Sequence, residues 1–125
     1  MDLIEARKYK IAPWEDSQIV RTDEFFTVFK DKYPVTEGHL LFVPSYDTEH
    51  CIKETMAAAY ECGTQLVRSK ECDGFNIGMN CGEPAGQTVM YPHIHIIPRR
   101  NGDMADPRGG VRHVIPEKGN YKKTS

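Results

Sequence analysis

The sequence predicts an α+β domain, in which an antiparallel sheet of about five strands carries one main helix. Three observations predict this class. Several short segments rich in apolar and β-branched residues are bounded by turn residues, as strands are. One long segment, residues 49–70, repeats its apolar side chains at close to 3.6-residue spacing, as an amphipathic helix does. The strands stand before and after that helix and do not alternate with helices, which favours an antiparallel sheet.

Size, charge and cysteine content narrow the class of protein. The 125 residues suffice for one hydrophobic core. The net charge of -2 gives no basic field for holding nucleic acid, and no apolar run approaches the roughly 20 residues that cross a bilayer. The charged N-terminal residues lack the apolar stretch of a secretory signal, so we expect a cytoplasmic protein with no nucleic-acid or membrane partner. The four cysteines form no CxxC pair and are expected to be reduced thiols.

The first part of the chain predicts a short helix followed by three strands. Residues 2–10 contain few apolar side chains and predict a short N-terminal helix. Residues 18–21 and 24–30 predict two strands around a turn, and the second is rich in aromatic and β-branched residues. Residues 39–43 form a continuous apolar run that ends at a proline, as a buried strand does.

The main helix has clear start signals. Ser45, Asp47 and Thr48 are candidate N-caps for residues 49–70. The apolar residues expected to share one helix face are Ile52, Met56, Ala59, Tyr60, Leu66 and Val67. Residues 75–79 then predict a fourth strand.

The composition changes beyond Arg99, where glycine, proline and charged residues become frequent and no period is visible. We therefore expect three parts. Residues 1–17 form an N-terminal extension, residues 18–99 the domain core and residues 100–125 an irregular C-terminal arm.

The fifth predicted strand, residues 88–97, carries the residues of greatest chemical interest. Alternation places His93 and His95 on one face, together with Val89, Tyr91 and Ile97. The other face is wholly apolar and is expected to be core; its members are Met90, Pro92, Ile94 and Ile96. Two imidazoles thus stand side by side on the face that is not buried.

Three interpretations of this histidine pair remain open on the residues alone. The pair can be satisfied polar residues on a half-exposed sheet face. It can bind a metal ion, for which Tyr91, His50 or His39 would have to supply a third ligand. It can also act as nucleophile and acid–base on an acyl or phosphoryl group, since a neutral imidazole is nucleophilic near pH 7.

The loop before the strand favours the third interpretation. Gly82, Gly86, Gln87 and Thr88 offer backbone N–H groups, an amide and a hydroxyl, which are suitable donors for phosphate oxygens. The glycines alone are equally typical of a tight hairpin connection. The combination of this loop with the histidine pair is more specific than either feature.

Residues 87–99, Gln-Thr-Val-Met-Tyr-Pro-His-Ile-His-Ile-Ile-Pro-Arg, resemble the signature strand of the histidine-triad (HIT) family. That family contains nucleotidyl hydrolases and transferases with the motif His-φ-His-φ-His-φ-φ, where φ is hydrophobic. The resemblance extends over about residues 18–99, within which residues 23–31 resemble a nucleoside-contacting strand. Asn80 stands seven residues before Gln87, as a family asparagine does.

The resemblance implies a role for individual residues. His93 matches the family nucleophile, which attacks the α-phosphorus of a nucleotide and forms a covalent nucleotidyl-histidine that water resolves. His95 matches the last triad histidine, which binds phosphate and assists the leaving group. Asp31 matches an acidic residue that binds the ribose hydroxyls. The loop positions that orient the nucleophile and hold phosphate are Asn80, Gly86, Gln87 and Thr88. This chemistry requires no metal and no cofactor.

Two departures from the family pattern bear on activity. Tyr91 occupies the first triad position, where its hydroxyl can hydrogen-bond a phosphate oxygen but cannot carry positive charge. Pro92 lies within the predicted strand, where it removes a ladder hydrogen bond and restricts Tyr91. The resulting His-Pro-His pattern is similar to the galactose-1-phosphate uridylyltransferase branch, which has glutamine at the position of His95. The presence of His95 therefore favours a hydrolase over a transferase.

The resemblance implies hydrolysis of a nucleotide phosphoanhydride or phosphoramidate, with a dinucleoside polyphosphate as the more specific substrate and a purine base expected. The alternatives are a nucleotide-binding or signalling module with weak or no turnover, and a nucleotidyltransferase. A homodimer is expected, with Met56, Tyr60 and Leu66 as candidate contacts. His39 is expected to be structural, while His50 is a weak candidate for a further site histidine. The arm carries four arginines that could reach distal phosphates: Arg99, Arg100, Arg108 and Arg112. Related bacterial HIT proteins carry a similar Asp-Pro-Arg-Gly-Gly-Val-Arg segment.

Overall fold

The computed structural model describes residues 1–121. Its centre is one antiparallel sheet in the order β1-β2-β3-β5-β4. The strands are β1 (Ile19–Thr22), β2 (Phe26–Lys30), β3 (Leu40–Pro44), β4 (Gly74–Gly78) and β5 (Ile94–Arg99). The α-helices are α1 (Leu3–Lys8), α2 (Glu49–Arg68) and α3 (Pro116–Gly119). The predicted α+β class, with about five antiparallel strands, one main helix and a short N-terminal helix, is confirmed. No helix among the described residues has both the length and the apolar character needed to cross a membrane.

Helix α2 covers one face of the sheet. Its N-cap is Thr48, whose side-chain oxygen accepts the Cys51 N–H at 3.2 Å, so one of the predicted start signals is used. The fully buried positions recur every four residues: Cys51, Thr55, Ala59 and Gly63. A side chain at Gly63 would overlap the ring of Phe75, so glycine lets the helix sit close to the sheet. Tyr60, predicted on the apolar face, is instead exposed.

The two faces of the sheet have separate covers. Under α2 the buried side chains from the sheet are Phe26, Val28, Phe42, Ile94 and Ile96. The opposite face is covered, over β2 and β3, by the N-terminal segment. The buried members of that second cluster are Leu3, Ala6, Ala12, Trp14, Phe29, Leu41, Val43 and Tyr91. Residues 1–17, predicted as an extension, thus close part of the core, and the proposed division at residues 17 and 99 stays a prediction.

The C-terminal segment lies against the edge strand β4. It contains a 3₁₀ helix, Gly110–Val114, followed directly by α3. Asp106 ties this segment together, since its carboxylate accepts from Arg108 at 3.0 Å and from the Asn120 amide at 2.7 Å. The predicted irregular arm therefore has defined local structure up to residue 121, and its last four residues lie outside the described part of the chain.

The predicted fifth strand is wrong in its first half. The strand begins at Ile94, while residues 88–93 are irregular. Pro92 accounts for the difference, because proline offers no N–H to a sheet ladder and restricts the residue before it. The pattern of burial inverts there, so that Met90 is exposed and Tyr91 is buried. From Ile94 onward the predicted alternation holds, with every second residue buried against α2.

Candidate functional site

The histidine pair lies on the sheet face opposite α2, next to the N-terminal segment that covers part of that face. Because Ile94 and Ile96 point toward α2, His93 and His95 point to the other face. Their ring centroids are 5.2 Å apart. Trp14 from the N-terminal segment meets the ring of His93 edge-on, with centroids 5.2 Å apart. One histidine is thus packed against an aromatic wall, and the second stands toward β4.

The tautomer of His93 follows from its backbone partner. Its Nδ1 lies 2.9 Å from the carbonyl oxygen of Tyr91. A carbonyl oxygen only accepts, so Nδ1 carries the proton and Nε2 keeps its lone pair. Within residues 1–121 no buried side-chain nitrogen or oxygen lacks a partner, and Nε2 has none. Since every buried side-chain nitrogen or oxygen there has a partner, the unpaired Nε2 of His93 is not buried. It therefore reaches solvent as a free nucleophilic atom.

The tautomer of His95 is set by a chain of hydrogen bonds through His39. The Val35 backbone N–H donates to His39 Nδ1 at 3.0 Å, so a neutral His39 carries its proton on Nε2. His39 Nε2 lies 2.9 Å from His95 Nδ1 and therefore donates to it. His95 Nδ1 is then an acceptor, which leaves the proton of His95 on Nε2. The pair thus offers one acceptor and one donor, the lone pair of His93 Nε2 and the N–H of His95 Nε2, on rings whose centroids are 5.2 Å apart.

Burial lowers the pKa values of both His95 and His39, which favours the neutral rings that the hydrogen bonds require. Burial lowers the pKa of His95 to about 4, and repulsion from His93 and His39 adds to the shift against a smaller opposing effect of Asp31. Burial also lowers the pKa of His39, with Asp31 opposing it. Both imidazoles are therefore neutral at pH 7. A proton added to His95 Nδ1 would face the N–H of His39 Nε2, and one added to His39 Nδ1 would face the Val35 N–H.

Three ligand-type atoms of Asp31, His39 and His95 lie within 4.8 Å of one another, which suits a metal ion in composition. The polarity of the hydrogen bonds opposes that use. A metal on His39 Nε2 would require its proton to move to Nδ1, where it would face the Val35 N–H. The residues present fit a hydrogen-bond chain better than a metal centre.

A cavity of about 690 Å³ opens beside His95. Its floor is the sheet, where Gly78 of β4 is the register partner of His95. A side chain at Gly78 would meet nothing within 4 Å, so the absence of one leaves space next to the imidazole. The outer wall is the 3₁₀ helix of the C-terminal segment, and Thr36 from the β2–β3 connection lies on the third side. This volume is within the range of small-molecule sites.

Some polar groups of the glycine-rich loop are bonded within the protein, and others remain available to a ligand. Gln87 braces it, because its Oε1 accepts the Gly82 N–H at 2.7 Å and its Nε2 donates to the carbonyls of Val89 and Met90 at 3.1 Å. The Gly86 N–H is also used, by the Glu83 carbonyl. Within residues 1–121 the side chains of Thr88 and Asn80 have no hydrogen-bond partner, and Asn80 lines the cavity. These two remain available to a ligand.

Asp31, expected to bind ribose hydroxyls, already has partners in the protein. Its Oδ1 accepts the Tyr33 N–H at 2.7 Å, and its Oδ2 lies 3.4 Å from His39 Nε2. The Asp31 carboxylate therefore lies near His39 Nε2, at a longer distance than the 2.9 Å hydrogen bond between His39 and His95. The structure places it beside the hydrogen-bond chain, with one carboxylate oxygen left partly free.

Tyr91 is not brought to the site, which corrects its expected contact with phosphate. Its side chain is 2% exposed, and its hydroxyl donates to the carbonyl oxygen of Pro44 at 2.7 Å. Burial raises the pKa of this hydroxyl, so it stays protonated. Residues 88–93 do not continue the strand, and the Tyr91 ring is buried in the cluster under the N-terminal segment and is not among the residues that line the cavity. The hydroxyl of Tyr91 fixes the segment before β5 to Pro44, and its backbone carbonyl orients the His93 ring.

We expect Tyr91→Phe to lower the free energy of unfolding by about 1–2 kcal/mol, because the Pro44 carbonyl is left buried without its donor. Turnover at saturating substrate should change less than threefold, since the Tyr91 carbonyl still holds His93. Urea unfolding and steady-state kinetics on the same preparation measure both quantities. A loss of turnover above about 100-fold with stability intact would place the hydroxyl in the chemistry.

The sequence analysis expected His39 to be structural and missed its hydrogen bond to His95, because that contact depends on the register of β3 against β5. Leu41 pairs with His95, which brings the start of β3 alongside the histidine pair. His50, the weak alternative, is exposed and packs edge-on to Phe25 at the start of α2. It does not belong to the site.

The four arginines of the arm have partners in the protein. Arg99 forms a two-pronged bond to the Asp103 carboxylate at 2.8 and 2.9 Å and also reaches Asn76. Arg100 donates to the Glu37 carbonyl at 2.7 Å, Arg108 pairs with Asp106, and Arg112 donates to the carbonyl of Lys118 at 2.9 Å. These contacts brace the C-terminal segment, and the guanidinium of Arg99, which lines the cavity, is held by Asp103 and Asn76.

Comparison with known proteins identifies the class of protein to which this fold belongs. Residues 13–102 match the HIT domain. The chain is 33% identical over 89 residues to the adenylylsulfatase HINT3 of Arabidopsis thaliana, which spans 65% of this chain and 45% of that protein. It is 34% identical over 76 residues to the adenosine 5'-monophosphoramidase HNT1 of Saccharomyces cerevisiae, spanning 58% of this chain and 48% of that protein.

A solved structure gives the same result for the fold. A zinc-bound histidine triad family protein from Mycobacterium smegmatis superposes with a TM-score of 0.67 at 29% identity, covering 78% of this chain and 76% of that one. The chain belongs to the HIT family.

Proposed function

We propose that this protein hydrolyses nucleotides in which a nucleoside monophosphate is joined to an acidic leaving group through a phosphoanhydride. The observation that carries the proposal is the pair of neighbouring imidazoles, whose centroids are 5.2 Å apart and whose hydrogen bonds leave a lone pair on His93 Nε2 and an N–H on His95 Nε2. A nucleophile next to a hydrogen-bond donor is the arrangement that nucleotidyl transfer through a covalent intermediate requires. A purine base is the expected nucleoside.

The proposed reaction has two steps. In the first, the His93 Nε2 lone pair forms a bond to the α-phosphorus, and the bond from phosphorus to the bridging oxygen breaks. The leaving group takes that electron pair and departs as an oxyanion, which the His95 N–H stabilises. In the second step water adds to phosphorus, the N–P bond breaks and His93 recovers its lone pair. The proton of the water goes to solvent, and nucleoside monophosphate is released.

The bond between His93 Nδ1 and the Tyr91 carbonyl supports both steps. Attack through Nε2 makes the imidazole ring cationic while Nδ1 keeps its proton. The carbonyl oxygen 2.9 Å away stabilises that cation and prevents rotation of the ring. Asn80 and Thr88, whose side chains are free among the described residues, are the proposed phosphate-binding groups.

The fixed neutral state of His95 favours anhydrides over phosphoramidates. A neutral His95 donates a hydrogen bond but gives up a proton only at the cost of an imidazolate. Phosphate and sulfate leave as stable anions and need only the hydrogen bond, whereas an amine must gain a proton to leave. The adenylylsulfatase relative acts, by its name, on such an anhydride, while the phosphoramidase relative shows that the family extends to the other class.

The proposal extends to the assembly and the cellular location. We propose a homodimer, because β4 is an edge strand of the sheet and the neighbouring Tyr60 of α2 exposes 59% of its surface. Met56 and Leu66 remain the other candidate contacts on α2. A cytoplasmic location is proposed as well.

The test is a substrate panel with the same adenylyl half. We expect diadenosine tetraphosphate and adenosine 5'-phosphosulfate to yield AMP with kcat/KM at least about tenfold above that for adenosine 5'-phosphomorpholidate. His50→Gln is the matched control, since that exposed histidine lies outside the site. Tight AMP binding without turnover of any of the three would instead identify the protein as a nucleotide-binding module.

A further inference from the structure

The cavity beside His95 and His39 has a third imidazole on its outer wall. His113 comes from the 3₁₀ helix of the C-terminal segment and lines the same cavity as His95 and Gly78. Neither the sequence pattern nor the proposed chemistry gives His113 a task. The question is whether the segment merely packs there or holds this ring for a ligand.

The geometry of the segment is fitted to the ring. Gly109 and Gly119 lie against its edge and face, and a Cβ on Gly119 would overlap its Cδ2, Cγ and Nε2 atoms. A Cβ on Gly109 would overlap the Gly119 carbonyl and approach His113 Cε1 to 3.1 Å. Gly109 also adopts a φ of 98°, which other residues rarely reach. Both glycines are therefore required for this imidazole to occupy its place.

The protonation pattern of His113 is fixed in the same way as that of His93. Nδ1 lies 3.0 Å from the Gly110 carbonyl oxygen, so Nδ1 carries the proton of the neutral ring. Nε2 has no hydrogen-bond partner within residues 1–121, where no buried side-chain nitrogen or oxygen is left unpaired. Nε2 packs against Gly119 on one side but is not fully buried, so it remains an unpaired acceptor on a ring that lines the cavity.

The remaining lining indicates what kind of group would meet that acceptor. Met79, Ile97 and Met104 contribute apolar surface, and the cavity of about 690 Å³ exceeds what a sulfate or phosphate would fill. The polar side chains of Thr36, Asn76, Arg99 and Asp103 also line the cavity, but they are bonded to other protein groups, which leaves His113 Nε2 and the Asn80 amide uncommitted within the described part of the chain. An apolar wall with these uncommitted groups suits a planar organic group that carries an N–H or O–H donor. The far nucleoside of a dinucleoside polyphosphate has this chemistry.

We propose that His113 is a specificity residue for the leaving group, accepting a hydrogen bond through Nε2 from a second nucleoside held in the cavity beside His95. The inference rests on the proposed function. His113 makes no bond to phosphorus in this account. It selects which leaving group is held productively after His93 and the adenylyl half are in place.

Two substrates with one adenylyl half separate this role from a structural one. Diadenosine tetraphosphate carries a second nucleoside and adenosine 5'-phosphosulfate does not. In His113→Leu we expect the ratio of kcat/KM for these two substrates to fall about tenfold, mainly through KM for the dinucleotide, as loss of one hydrogen bond implies. His113→Gln places an amide oxygen near the position of Nε2 and should recover most of the ratio.

Gly78→Val approaches the same cavity from the sheet side and does not depend on the folding of the C-terminal segment. Its side chain enters space now empty within 4 Å, so the ratio should fall there too. An unchanged ratio in both His113→Leu and Gly78→Val overturns the leaving-group assignment while the proposed function stands. A wild-type protein that turns over neither substrate overturns both.

Discussion

Replacing His93 with glutamine is expected to lower kcat for an adenylyl anhydride by about 10⁴-fold or more, the scale seen when a catalytic nucleophile is lost. Glutamine fills the place of the imidazole beside Trp14 but offers no comparable nucleophilic lone pair. KM should change little, since the phosphate-binding groups on the preceding loop are untouched. Steady-state kinetics with diadenosine tetraphosphate measure the loss.

Two companion variants exclude a loss of fold as the cause. His50→Gln removes an exposed histidine outside the site and should retain wild-type kcat. His93→Gly leaves a space that free imidazole can enter, and added imidazole should then restore turnover by supplying the missing nucleophile. Turnover of His93→Gln within tenfold of wild type would remove His93 from the role of nucleophile.

Replacing His39 with leucine is expected to have the next largest effect, lowering kcat by about 10²–10³-fold although His39 lies behind the site. Without a donor on His95 Nδ1, the proton of His95 is free to move there and leave Nε2 without its N–H. A wrong tautomer is costly because the developing anion then loses its hydrogen bond. His39→Gln can still offer an amide N–H and should recover at least about tenfold of the loss.

The same variant should change the titration of His95. In wild type the folded pKa of His95 is about 4, below the ordinary value of 6.5 for an unfolded chain. The unfolded state therefore binds more protons between these values, and the free energy of unfolding falls as pH drops from 6.5 toward 4. Because the ring is partly solvated, we expect this component to amount to less than about 2 kcal/mol. In His39→Leu the NMR titration midpoint of His95 should rise; an unchanged midpoint would contradict the hydrogen-bond chain.

Much of the fold could be predicted because its elements are encoded locally. The α2 helix shows its period and its Thr48 cap, and the five strands show apolar runs between turn residues. The half-strand at residues 88–93 was mispredicted because alternation counts side chains and ignores the missing N–H of Pro92. Burial of residue 91 follows from how the backbone enters the sheet, which a two-residue period does not describe.

The site was predictable only where its residues stand together in the chain. His93 and His95 are two apart on one strand, so their proximity follows from backbone geometry. His39 meets His95 across 56 residues, through a register that no local pattern specifies. The amide of Gln87 was expected on phosphate because its residue type suits that task, yet the loop uses it as a brace. Residue type indicates the chemistry available, and only the three-dimensional partners show which groups are already engaged.

The most direct test of the account is identification of the covalent intermediate. Wild-type protein mixed with excess adenosine 5'-phosphosulfate is quenched in alkali within milliseconds to seconds, digested and examined by mass spectrometry. The account predicts an adenylyl group attached to the peptide that contains His93, through an alkali-stable and acid-labile bond to nitrogen, and no such adduct in His93→Gln. An adenylyl group on a different residue, or AMP formed without any adduct in a fully resolved single turnover, would contradict it.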